Sequence, residues 1–504
     1  MKTALLSVWD KRELLPLGHR LHEEDWQLIA SGGTAQELEK DGLQVVPVQE
    51  ITGERELFGG RVKTLHPAIH AGILAPDTKN ALGQLKERGW PRLDLVVVNL
   101  YPFQEMIDQA DLSQDEILEF IDIGGAALLR AAAKNYTRVT VLSDPDDYPT
   151  DLSVLDKKGY RLEMAYKAFA TTAAYDQAIS RYFTKHTAAP REKIHILHPV
   201  QRLRYGENPH QEATFYARKP GGKPFHGTLL QGKALSYNNL LDLEGAWRCV
   251  RRFEGPAAAV VKHTSPCGVA EADSLAEALR LALASDPTSA FGSVIASNRT
   301  ITPAFVDTLG DMFLECLIAP DFSPPTLQQL SQQGSLRLIK APLEKPLPGR
   351  ELRTIPGGYL EQEGDTGDPE ESPRWTVMTE RDPTPQELAA LKFGWQAVMD
   401  VKSNAVLLAR VEGSKRFTVG IGGGQPNRAD CVRMAGLRAG DRAQGAVLAS
   451  DAFFPFPDGI QLAHESGVTA VVQPGGSIRD PDVIAEADAR GLAMLFTHTR
   501  HFRH

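Results

Sequence analysis

A lysine–histidine pair at the end of an apolar run stands out as a candidate for chemistry. Residues 260–268 are Val-Val-Lys-His-Thr-Ser-Pro-Cys-Gly, so Lys262 and His263 follow directly after a predicted buried strand. A histidine can act as a general base near neutral pH, and a neighbouring ammonium group can stabilise developing negative charge. A lone histidine is most often structural, but the position beside Lys262 favours proton transfer for His263.

Four residues in the first part of the chain could form a second proton-transfer site. Lys63, Tyr101, Asp122 and Lys134 carry groups that donate or accept protons. Asp122 precedes a glycine pair and Lys134 ends the helix predicted to follow, and single residues in such places often only cap a helix. We therefore expect a site here only if the fold brings the four side chains together.

Three glycine-containing segments are suited to bind an anion such as a phosphate. Ser31–Thr34 reads Ser-Gly-Gly-Thr between a predicted strand and a predicted helix, and Gly420–Arg428 also opens into a helix. Glycines let backbone N–H groups approach an anion, and a helix N-terminus adds positive potential. Gly60–Pro67 adds cations and a hydroxyl. Ser31–Thr34 could instead be a turn capped by Thr34, and it matches neither a P-loop nor the dinucleotide-binding fingerprint. Gly60–Pro67 could instead be a solvated basic loop.

A phenylalanine-rich segment follows the strand predicted at Ala446–Ala449. Phe453, Phe454 and Phe456 stand there among acidic residues and prolines. Such aromatic residues are usually part of the core, but at a strand end they could instead form a slot for a flat heterocycle. The sequence leaves both interpretations open.

The spacing of histidines and cysteines argues against a metal site. His66 and His70 have no third ligand at suitable spacing, and Pro266-Cys267 resembles half of a zinc-deaminase signature that Ala270 breaks. The four cysteines contain no Cys-x-x-Cys pair, which favours free thiols in a reducing compartment. The C-terminal histidines are more typical of a frayed polar tail than of a metal site; they are His498, His501 and His504.

Composition and charge narrow the class of protein. The chain has 504 residues, of which 42% are hydrophobic and 24% charged, as in globular proteins of two to four domains. The 55 Lys and Arg residues against 64 Asp and Glu residues give a net charge of −9, which argues against a basic nucleic-acid binder. No apolar run reaches the ~18–20 residues of a membrane span, and the N-terminal apolar stretch is too short for a signal peptide. We expect a cytoplasmic protein that binds neither nucleic acid nor membrane.

Short apolar runs that alternate with helical stretches predict the elements that position these residues. Such runs are typical of strands buried on both faces of a mostly parallel sheet. Helices are predicted at Thr34–Lys40, Ala126–Lys134 and across 151–187. The predicted strands are Thr3–Val8, Trp26–Ala30, Gln44–Val48, Asp94–Asn99, Val139–Leu142, Ala257–Val261, Ser293–Ala296, Leu317–Ala319, Leu336–Ile339, Val406–Leu408, Thr418–Ile421, Ala446–Ala449, Thr469–Val472 and Leu492–Phe496.

The same alternation divides the chain into regions. The small, polar stretch Thr187–Lys193 is the predicted domain boundary. Residues 341–375, rich in Pro, Gly and acid, are predicted to form a long surface excursion or a connection between subdomains. We therefore predict one N-terminal α/β domain followed by a larger C-terminal region of two α/β halves.

Several segments closely resemble one bifunctional family of purine biosynthesis, which couples a phosphoribosylaminoimidazolecarboxamide (AICAR) formyltransferase to an inosine-monophosphate (IMP) cyclohydrolase. They span nearly the whole chain in the family's order, and residues 341–375 contribute nothing to the resemblance. The segments are Gly60–Pro67, Asn99–Phe103, Asp122–Gly125, Ala133–Asn135, Arg204–Gln211, Val261–Gly268, Lys402–Asn404, Gly420–Arg428 and Ser450–Asp458.

The resemblance implies a fold, a co-substrate and an assembly. It implies a methylglyoxal-synthase-like parallel α/β cyclohydrolase domain at residues 1–190. A formyltransferase domain at 195–504 would consist of two cytidine-deaminase-like α/β subdomains. The implied co-substrate is 10-formyltetrahydrofolate, and no metal is required. Because the family is homodimeric, we expect a homodimer with transformylase sites at the subunit interface.

For the formyltransferase, the resemblance implies that the 5-amino group of AICAR attacks the formyl carbon of 10-formyltetrahydrofolate. That amine is conjugated with the ring carboxamide and is a poor nucleophile, so the reaction needs a base and stabilisation of the oxyanion. By the resemblance, His263 takes the proton, Lys262 stabilises the oxyanion or protonates the leaving N10, and Asn404 orients the formyl group. The implied ribotide contacts are Arg204, Tyr205, Gly292, Glu315, Arg428, Phe453 and Arg500, and the implied folate contacts are Ala429, Asp458 and Ser477.

For the cyclohydrolase, the resemblance implies that the carboxamide nitrogen attacks the new formyl group and that water leaves. Both groups belong to one molecule, so folding it into the reactive shape supplies much of the rate. By the resemblance, Asp122 and Lys134 transfer protons, while Tyr101 and Lys63 polarise the formyl oxygen. The implied substrate contacts are Lys11, Ser31, Gly32, Gly33, Thr34, Arg61, Thr64, Asn99 and Gly124.

One residue near the N-terminus departs from the family pattern. Trp9 stands where the family usually has serine, so a hydroxyl contact to the phosphate is lost and a bulky ring is added. This departure motivates one alternative to the bifunctional enzyme, a transformylase with a weakened cyclohydrolase. A second alternative is a non-catalytic nucleotide-binding regulator that uses the same anion-binding segments. The regulator is disfavoured because binding alone needs no proton-transfer groups such as Lys262 and His263.

Overall fold

The computed structural model describes residues 1–55, 57–107, 112–184, 197–343 and 349–504. Contacts within the chain divide it into two compact units, Met1–Ile196 (unit 1) and Leu197–His504 (unit 2). The predicted boundary at Thr187–Lys193 lies outside the described residues. Among the helices in the described ranges, none is long and apolar enough to cross a bilayer.

Unit 1 alternates strands and helices, and each strand predicted there lies within one residue of its observed limits. The described strands are β1 (Thr3–Val8), β2 (Gln27–Ala30), β3 (Val45–Pro47), β4 (Leu95–Asn99) and β5 (Thr140–Leu142). The described helices are α1 (Leu14–Glu23), α2 (Gly32–Lys40), α3 (Val48–Thr52), α4 (Pro67–Leu74), α5 (Lys79–Glu87), α6 (Phe103–Ile107), α7 (Gln114–Leu118), α8 (Ile123–Lys134) and α9 (Lys158–Thr184).

The five described strands of unit 1 form one parallel sheet in the order β3-β2-β1-β4-β5. Most of their side chains are buried, in line with the unbroken apolar runs of the sequence. The strand order reverses between β1 and β4, and open α/β sheets bind ligands at such a point, beyond the carboxyl ends of the strands. Val8 and Asn99, which end these two strands, pair with each other. A pocket is therefore expected just beyond them.

Unit 2 contains the longer series of elements. Its described strands are β6 (His198–Arg202), β7 (Thr214–Ala217), β8 (Thr228–Gln231), β9 (Ala257–Lys262), β10 (Ser265–Glu271), β11 (Ser293–Ser297), β12 (Leu314–Ala319), β13 (Arg337–Lys340), β14 (Arg350–Ile355), β15 (Gly358–Glu363), β16 (Thr376–Val377), β17 (Ala405–Glu412), β18 (Lys415–Gly423), β19 (Val447–Ser450), β20 (Ala470–Gln473) and β21 (Ala493–Phe496). Its described helices are α10 (Tyr237–Val250), α11 (Leu275–Ser285), α12 (Pro287–Ala290), α13 (Pro303–Leu309), α14 (Pro324–Leu330), α15 (Pro385–Val398), α16 (Arg428–Ala439), α17 (Asp458–Glu465) and α18 (Asp480–Ala489).

A twelve-stranded sheet organises unit 2, in the order β16-β21-β20-β19-β17-β18-β10-β9-β11-β12-β13-β8. It consists of two halves with the same strand order, which join where β10 pairs with β18. In each half an antiparallel hairpin, β9–β10 or β17–β18, lies beside parallel strands. The sheet is therefore mixed, and the deaminase-like character of the halves stays a prediction.

Several strands of unit 2 were not predicted from the sequence: β6, β7, β8, β10, β16 and the hairpin β14–β15. The first residues of β10 include Pro266 and Gly268, which are typical of turns. A Cβ on Gly268 would lie 1.9 Å from the carbonyl oxygen of Ala282, so only glycine fits there. The hairpin falls within the predicted excursion at 341–375, and nearly all of its residues are exposed. No alternation of buried and exposed residues marks it, because neither face packs on a core.

Candidate active sites

The lysine–histidine pair lies at a two-residue turn between β9 and β10. Lys262 pairs with Ser265 across the hairpin, so His263 and Thr264 form the turn itself. The His263 side chain is exposed, and Lys262 is half-buried. Lys262 Nζ donates a hydrogen bond to the carbonyl oxygen of Phe291 at 2.8 Å. The predicted ribotide contact Gly292 is the next residue, so the structure brings it close to the Lys262 ammonium.

The loop that contains Arg204 and Tyr205 lies against the start of α10. The Arg204 guanidinium sits 5.4 Å from the centre of the Tyr205 ring. Asn238, in the first turn of α10, donates from Nδ2 to the carbonyl oxygen of Glu207 at 3.1 Å. The turn at His263 also contacts α10, as described below. These predicted ribotide and catalytic residues therefore share one supporting helix.

Asn404 belongs to a buried polar cluster at the start of β17. Its side-chain oxygen accepts a hydrogen bond from Arg428 at 2.7 Å, and its Nδ2 donates to the carbonyl oxygen of Gln425 at 2.8 Å. Arg428 is only 6% exposed and also donates to Ser450 and Asp451. Both ends of the Asn404 amide are held by protein groups, and Arg428 fixes its orientation. Direct substrate contacts of Asn404 and Arg428 stay predictions.

Two other predicted ribotide contacts, Glu315 and Phe453, differ in their surroundings. The Glu315 carboxylate on β12 accepts a hydrogen bond from Arg337 at 2.8 Å. Phe453 is half-buried, whereas Phe454 packs in the core and Phe456 is 54% exposed. The phenylalanine segment is therefore divided between core and surface and does not form a single slot.

The predicted folate contacts Asp458 and Ser477 lie on segments that meet at one surface. The Arg479 guanidinium sits 6.0 Å from the centre of the exposed Phe456 ring, which joins the two segments. An exposed aromatic ring beside a carboxylate fits a flat heterocycle that carries hydrogen-bonding groups. Ala429 fits less well, because it is buried and its N–H donates to Asn427 Oδ1 at 2.8 Å.

The C-terminal segment is held by the predicted excursion rather than frayed. His501 is 2% exposed, and its two ring nitrogens lie 2.6 Å from Asp365 and 2.8 Å from Asp368. Arg353 on β14 donates to the His504 carbonyl oxygen at 2.9 Å. These contacts fix the segment that carries Arg500, a predicted ribotide contact. The prediction of a frayed tail is wrong. The local sequence could not show these contacts because Asp365 and Asp368 lie more than a hundred residues before His501.

The ion pairs of His501 should make stability depend on pH. Burial alone would lower the pKa of His501, but hydrogen bonds to Asp365 and Asp368 raise it to about 9. A folded-state pKa above the ordinary value stabilises the fold fully below about pH 6.5, and this contribution is lost as the pH rises through about 9. We expect His501→Gln to lower the free energy of unfolding by up to about 3 kcal/mol at pH 6 and by much less at pH 10.

Urea unfolding of wild type and His501→Gln at pH 6, 8 and 10 measures this difference. His464→Gln, at an exposed position of α17, is the matched control and should show no such trend. A deficit for His501→Gln that is equal at all three pH values would contradict a charged His501.

In unit 1 a cavity of about 990 Å³ opens beyond the carboxyl ends of β1 and β4. This is the place that the strand order indicates. Most of the predicted cyclohydrolase residues line it: Lys11, Ser31, Gly33, Thr34, Arg61, Lys63, Thr64, Asn99, Tyr101, Asp122 and Gly124.

Two ammonium groups lie against the glycine loop at the N-terminus of α2. A Cβ on Gly32 would lie 3.0 Å from Lys63 Nζ, and one on Gly33 would lie 3.6 Å from Lys11 Nζ. Two cations beside backbone N–H groups at a helix N-terminus suit a phosphate. The hydroxyls of the loop are engaged within the protein, since Ser31 lies 3.0 Å from Ser7 Oγ and Thr34 accepts the Val8 N–H at 3.0 Å.

Asp122 caps α8 and lines the cavity. Its Oδ1 accepts the Gly125 N–H at 2.7 Å, and its own N–H donates to the Tyr175 hydroxyl at 2.7 Å. Burial raises the pKa of Asp122 above its ordinary value, although the Gly125 hydrogen bond and the charge of Lys63 oppose the shift. A carboxyl group with a raised pKa is better matched to proton transfer near neutral pH.

Trp9 and Tyr101 form an aromatic edge of the cavity. Their ring centres are 4.8 Å apart, and Trp9 is 49% exposed. The backbone N–H groups of Trp9 and Asp10 donate to Asn99 Oδ1 at 2.6 and 2.8 Å. The Asn99 amide therefore holds this loop in place, and its predicted substrate contact stays a prediction.

The segment that contains Arg61 and Thr64 contributes one exposed and one buried side chain. Arg61 is exposed and forms two hydrogen bonds with Glu119, one of them 3.1 Å long. Thr64 is buried, and its hydroxyl would lie 3.0 Å from a Cβ on Gly124. Gly124 therefore leaves room for the Thr64 hydroxyl at the cavity wall.

Lys134 does not join Asp122 within one chain, contrary to the four-residue site that the sequence suggested. Asp122 caps the first turn of α8, and Lys134 is the last residue of this 12-residue helix. At 1.5 Å per residue the two ends are about 18 Å apart. Lys134 instead lines a separate, mainly apolar groove of about 620 Å³ beside Tyr166 and Phe169. The group that the structure assembles is Lys63, Tyr101 and Asp122.

Three residues that support these sites carry no local signal of that role in the sequence. Tyr175 holds the N–H of Asp122, Ser7 lies against Ser31, and Asp242 accepts the Thr264 N–H at 2.7 Å. Tyr175 and Asp242 lie inside helices, where such residues look like ordinary partly buried positions. Only the tertiary fold reveals what they contact.

The residues considered as metal ligands have other roles. His66 Nδ1 accepts the Ala68 N–H at 3.1 Å and caps α4. The four cysteines are buried and free. Within the part of the chain that the structure describes, no group of three or more His, Cys, Asp or Glu side chains is arranged to hold a metal ion.

Two family models match different parts of the chain. A family model described as AICARFT/IMPCHase bienzyme matches residues 132–438, and one described as MGS-like domain matches residues 13–127. The solved structure described as "Crystal structure of ForH" is 37% identical and covers 36% of this chain and 98% of its own, with a TM-score of 0.33 that supports no argument about the fold.

Several curated relatives are called "Bifunctional purine biosynthesis protein PurH", and the match covers all of both chains. Identity is 45% over 530 residues in Sorangium cellulosum (strain So ce56) and 46% over 522 residues in Desulfitobacterium hafniense (strain DSM 10664 / DCB-2). It is 44% over 519 residues in Bacillus thuringiensis subsp. konkukian (strain 97-27). With a family model that spans more than half of the chain and relatives that match it from end to end, the chain belongs to the AICARFT/IMPCHase bienzyme family.

Proposed function

We propose that the two reactions of this bienzyme are divided between the two units, with formyl transfer in residues 195–504 and ring closure in residues 1–190. The protein transfers a formyl group from 10-formyltetrahydrofolate to AICAR and closes formyl-AICAR to IMP. The observation that carries the division is that each unit holds its own proton-transfer group near its own cation. These are His263 in unit 2, which directly follows Lys262 at the β9–β10 turn, and Asp122 in unit 1, which interacts with the charge of Lys63.

In formyl transfer, His263 takes a proton from the 5-amino group as its nitrogen bonds to the formyl carbon. The Lys262 ammonium donates to the oxyanion, or to the leaving nitrogen as the old bond to the formyl carbon breaks. The proton taken from the amine is returned to the leaving nitrogen, so the step consumes no net proton. When bound, 10-formyltetrahydrofolate supplies the formyl carbon, and Asp458 and Ser477 would hold it.

In ring closure, the carboxamide nitrogen bonds to the formyl carbon and the formyl oxygen leaves as water. Asp122 moves protons from the nitrogen to that oxygen, and its raised pKa suits a group that both accepts and donates. Lys63 and Tyr101 polarise the formyl oxygen. The phosphate lies on the glycine loop at Ser31–Thr34, between Lys11 and Lys63.

A coupled assay of the purified protein tests this function. With AICAR and 10-formyltetrahydrofolate we expect IMP to form, and with formyl-AICAR alone we expect IMP without the folate. Formyl-AICAR that accumulates without IMP would instead support a weakened cyclohydrolase, which the added Trp9 ring beside Tyr101 favours. Binding of AICAR without either product would support a regulator and contradict the proposal.

Lys11→Gln should weaken binding of the phosphate without removing a proton-transfer group. We expect the KM of ring closure for formyl-AICAR to rise about tenfold with little change in kcat, because the lost contact is made equally in ground state and transition state. Steady-state kinetics of ring closure measure both constants. Lys40→Gln, at the exposed far end of α2, is the matched control. A fall in kcat at unchanged KM would contradict a phosphate contact.

We further infer a homodimer in the cytoplasm. The dimer, with transformylase sites at the subunit interface, is supported by the family resemblance. Size-exclusion chromatography with light scattering measures the molar mass and so tests it. The cytoplasmic location is supported by the four free, buried thiols, which suit a reducing compartment. A monomer with full formyl-transfer activity would contradict the interface site.

A further inference from the structure

The turn that carries His263 departs from the usual chemistry of hairpin turns. Two-residue hairpin loops commonly need positive φ angles, which glycine and asparagine adopt easily. Here His263 has a φ of 53° and Thr264 a φ of 64°. A β-branched residue such as Thr264 is rarely found in that conformation. Backbone in such a conformation persists only where surrounding contacts stabilise it.

The corresponding hairpin in the other half of the sheet has a glycine at the first position of its turn, and only that position has a positive φ. The equivalent hairpin, β17–β18, pairs Glu412 with Lys415 and turns at Gly413 and Ser414. Gly413 has a φ of 65°, which costs glycine nothing. The first half therefore keeps His263 and Thr264 where a glycine would relieve the backbone. Departures from local rules of this kind are typical of functional sites.

A carboxylate from α10 supports the turn at His263. Asp242 Oδ1 accepts the backbone N–H of Thr264 at 2.7 Å. The helix also packs closely on the turn, since a Cβ on Gly245 would lie 3.3 Å from the carbonyl oxygen of Thr264. The Thr264 hydroxyl is buried with no hydrogen-bond partner, so this side chain does not hold the turn. The hydrogen bond from the Thr264 backbone N–H to Asp242 holds the turn instead.

Stability of α10 does not explain the presence of Asp242. The helix runs from Tyr237 to Val250, and its N-cap is Ser236, which already accepts the Asn239 N–H at 3.2 Å. Asp242 lies beyond the first turn, where a carboxylate neither caps the helix nor gains much from the helix dipole. It is also partly buried, which is costly for a carboxylate unless it is hydrogen-bonded.

We propose that Asp242 is a positioning residue for formyl transfer. By accepting the Thr264 N–H, it stabilises the positive-φ turn and so fixes the direction in which His263 leaves the end of β9. Asp242 accepts its hydrogen bond from the backbone of the turn, and its carboxylate also lies within electrostatic reach of His263. This inference rests on the proposed role of His263 as the base.

The test compares Asp242→Ala, Asp242→Asn and the double variant Asp242→Ala/Thr264→Gly in the full chain. We expect Asp242→Ala to lower the kcat of formyl transfer about tenfold with little change in KM, because misplaced catalytic groups slow the chemical step. Asp242→Asn should keep most of the activity, since its amide oxygen still accepts the N–H. Thr264→Gly should restore much of the loss in the Asp242→Ala background, because glycine adopts the turn without support.

Thr264→Gly alone is the matched control, and ring closure is measured on every variant. A double variant no more active than Asp242→Ala would overturn the proposal, as would an equal loss of ring closure in Asp242→Ala. If Asp242→Ala does not fold, Asp242→Ser with and without Thr264→Gly gives the same comparison. If His263→Ala is inactive while Asp242→Ala is fully active, only this inference fails. If His263→Ala is active, the proposed base itself is wrong.

Discussion

His263→Ala lowers the rate of formyl transfer at least about 100-fold and leaves ring closure unchanged, which is the outcome expected when a general base is removed from one of two sites. The 5-amino group is a poor nucleophile, so its attack depends on a group that takes the proton in the transition state. His263 is exposed in the turn of the β9–β10 hairpin, and Lys262 is the residue directly before it. Alanine removes the base and keeps the cation.

Separate assays measure this effect. Formyl transfer is followed with AICAR and 10-formyltetrahydrofolate, and ring closure with formyl-AICAR alone. His464→Ala, on the exposed side of α17, controls for the loss of a surface histidine. Formyl transfer at the wild-type rate in His263→Ala would contradict the proposed role of His263 as the base. An equal loss of activity in both assays would indicate damage to folding.

The sequence could predict the parts of the fold and site that depend on local pattern. The runs Thr3–Val8 and Asp94–Asn99 predict β1 and β4, and their parallel pairing places a cavity at their carboxyl ends. The Ser31–Thr34 loop, predicted as an anion site from its glycines, lies at the N-terminus of α2 on the wall of this cavity. His263 at a strand end was recognisable from the apolar run before it.

Distances between elements could not be predicted in the same way. Asp122 and Lys134 belong to neighbouring motifs in the sequence, but they lie at opposite ends of α8 and are therefore separated by the full length of the helix. Arg428 and Asn99 look like ligand-binding residues in a sequence, yet their side chains engage protein groups. His501 looks like part of a polar tail because its aspartate partners are more than a hundred residues away.

The two candidate proton-transfer residues, Asp122 and His263, lie in different environments. At Asp122 the protein raises the pKa of a carboxyl by burying it, and limits the cost with a helix N-terminus and Lys63. At His263 the imidazole is exposed, and the unusual feature is the positive-φ backbone conformation of the turn that contains it. Under the proposed roles, one site depends on burial and the other on backbone geometry, so their variants should fail in different ways.

Asp122→Asn should slow ring closure about 100-fold or more and leave formyl transfer unchanged. Asparagine is as good an N-cap as aspartate, so it can still accept the Gly125 N–H and keep α8 in place. The amide cannot take a proton. Because burial raises the pKa of Asp122, its charged form costs stability near neutral pH, and that cost is absent in the variant. We therefore expect a Tm equal to or above that of wild type.

The pH profile adds a second readout for Asp122. As a base it must be ionised, so ring closure by the wild type should fall as the pH drops through a pKa above the ordinary 3.8. The variant should lack this acid limb. Asp151→Asn, which caps the short 3₁₀ turn at Leu152–Asp156 from an exposed position, is the matched control. Rapid ring closure by Asp122→Asn, with the acid limb retained, would assign the proton transfer to another group.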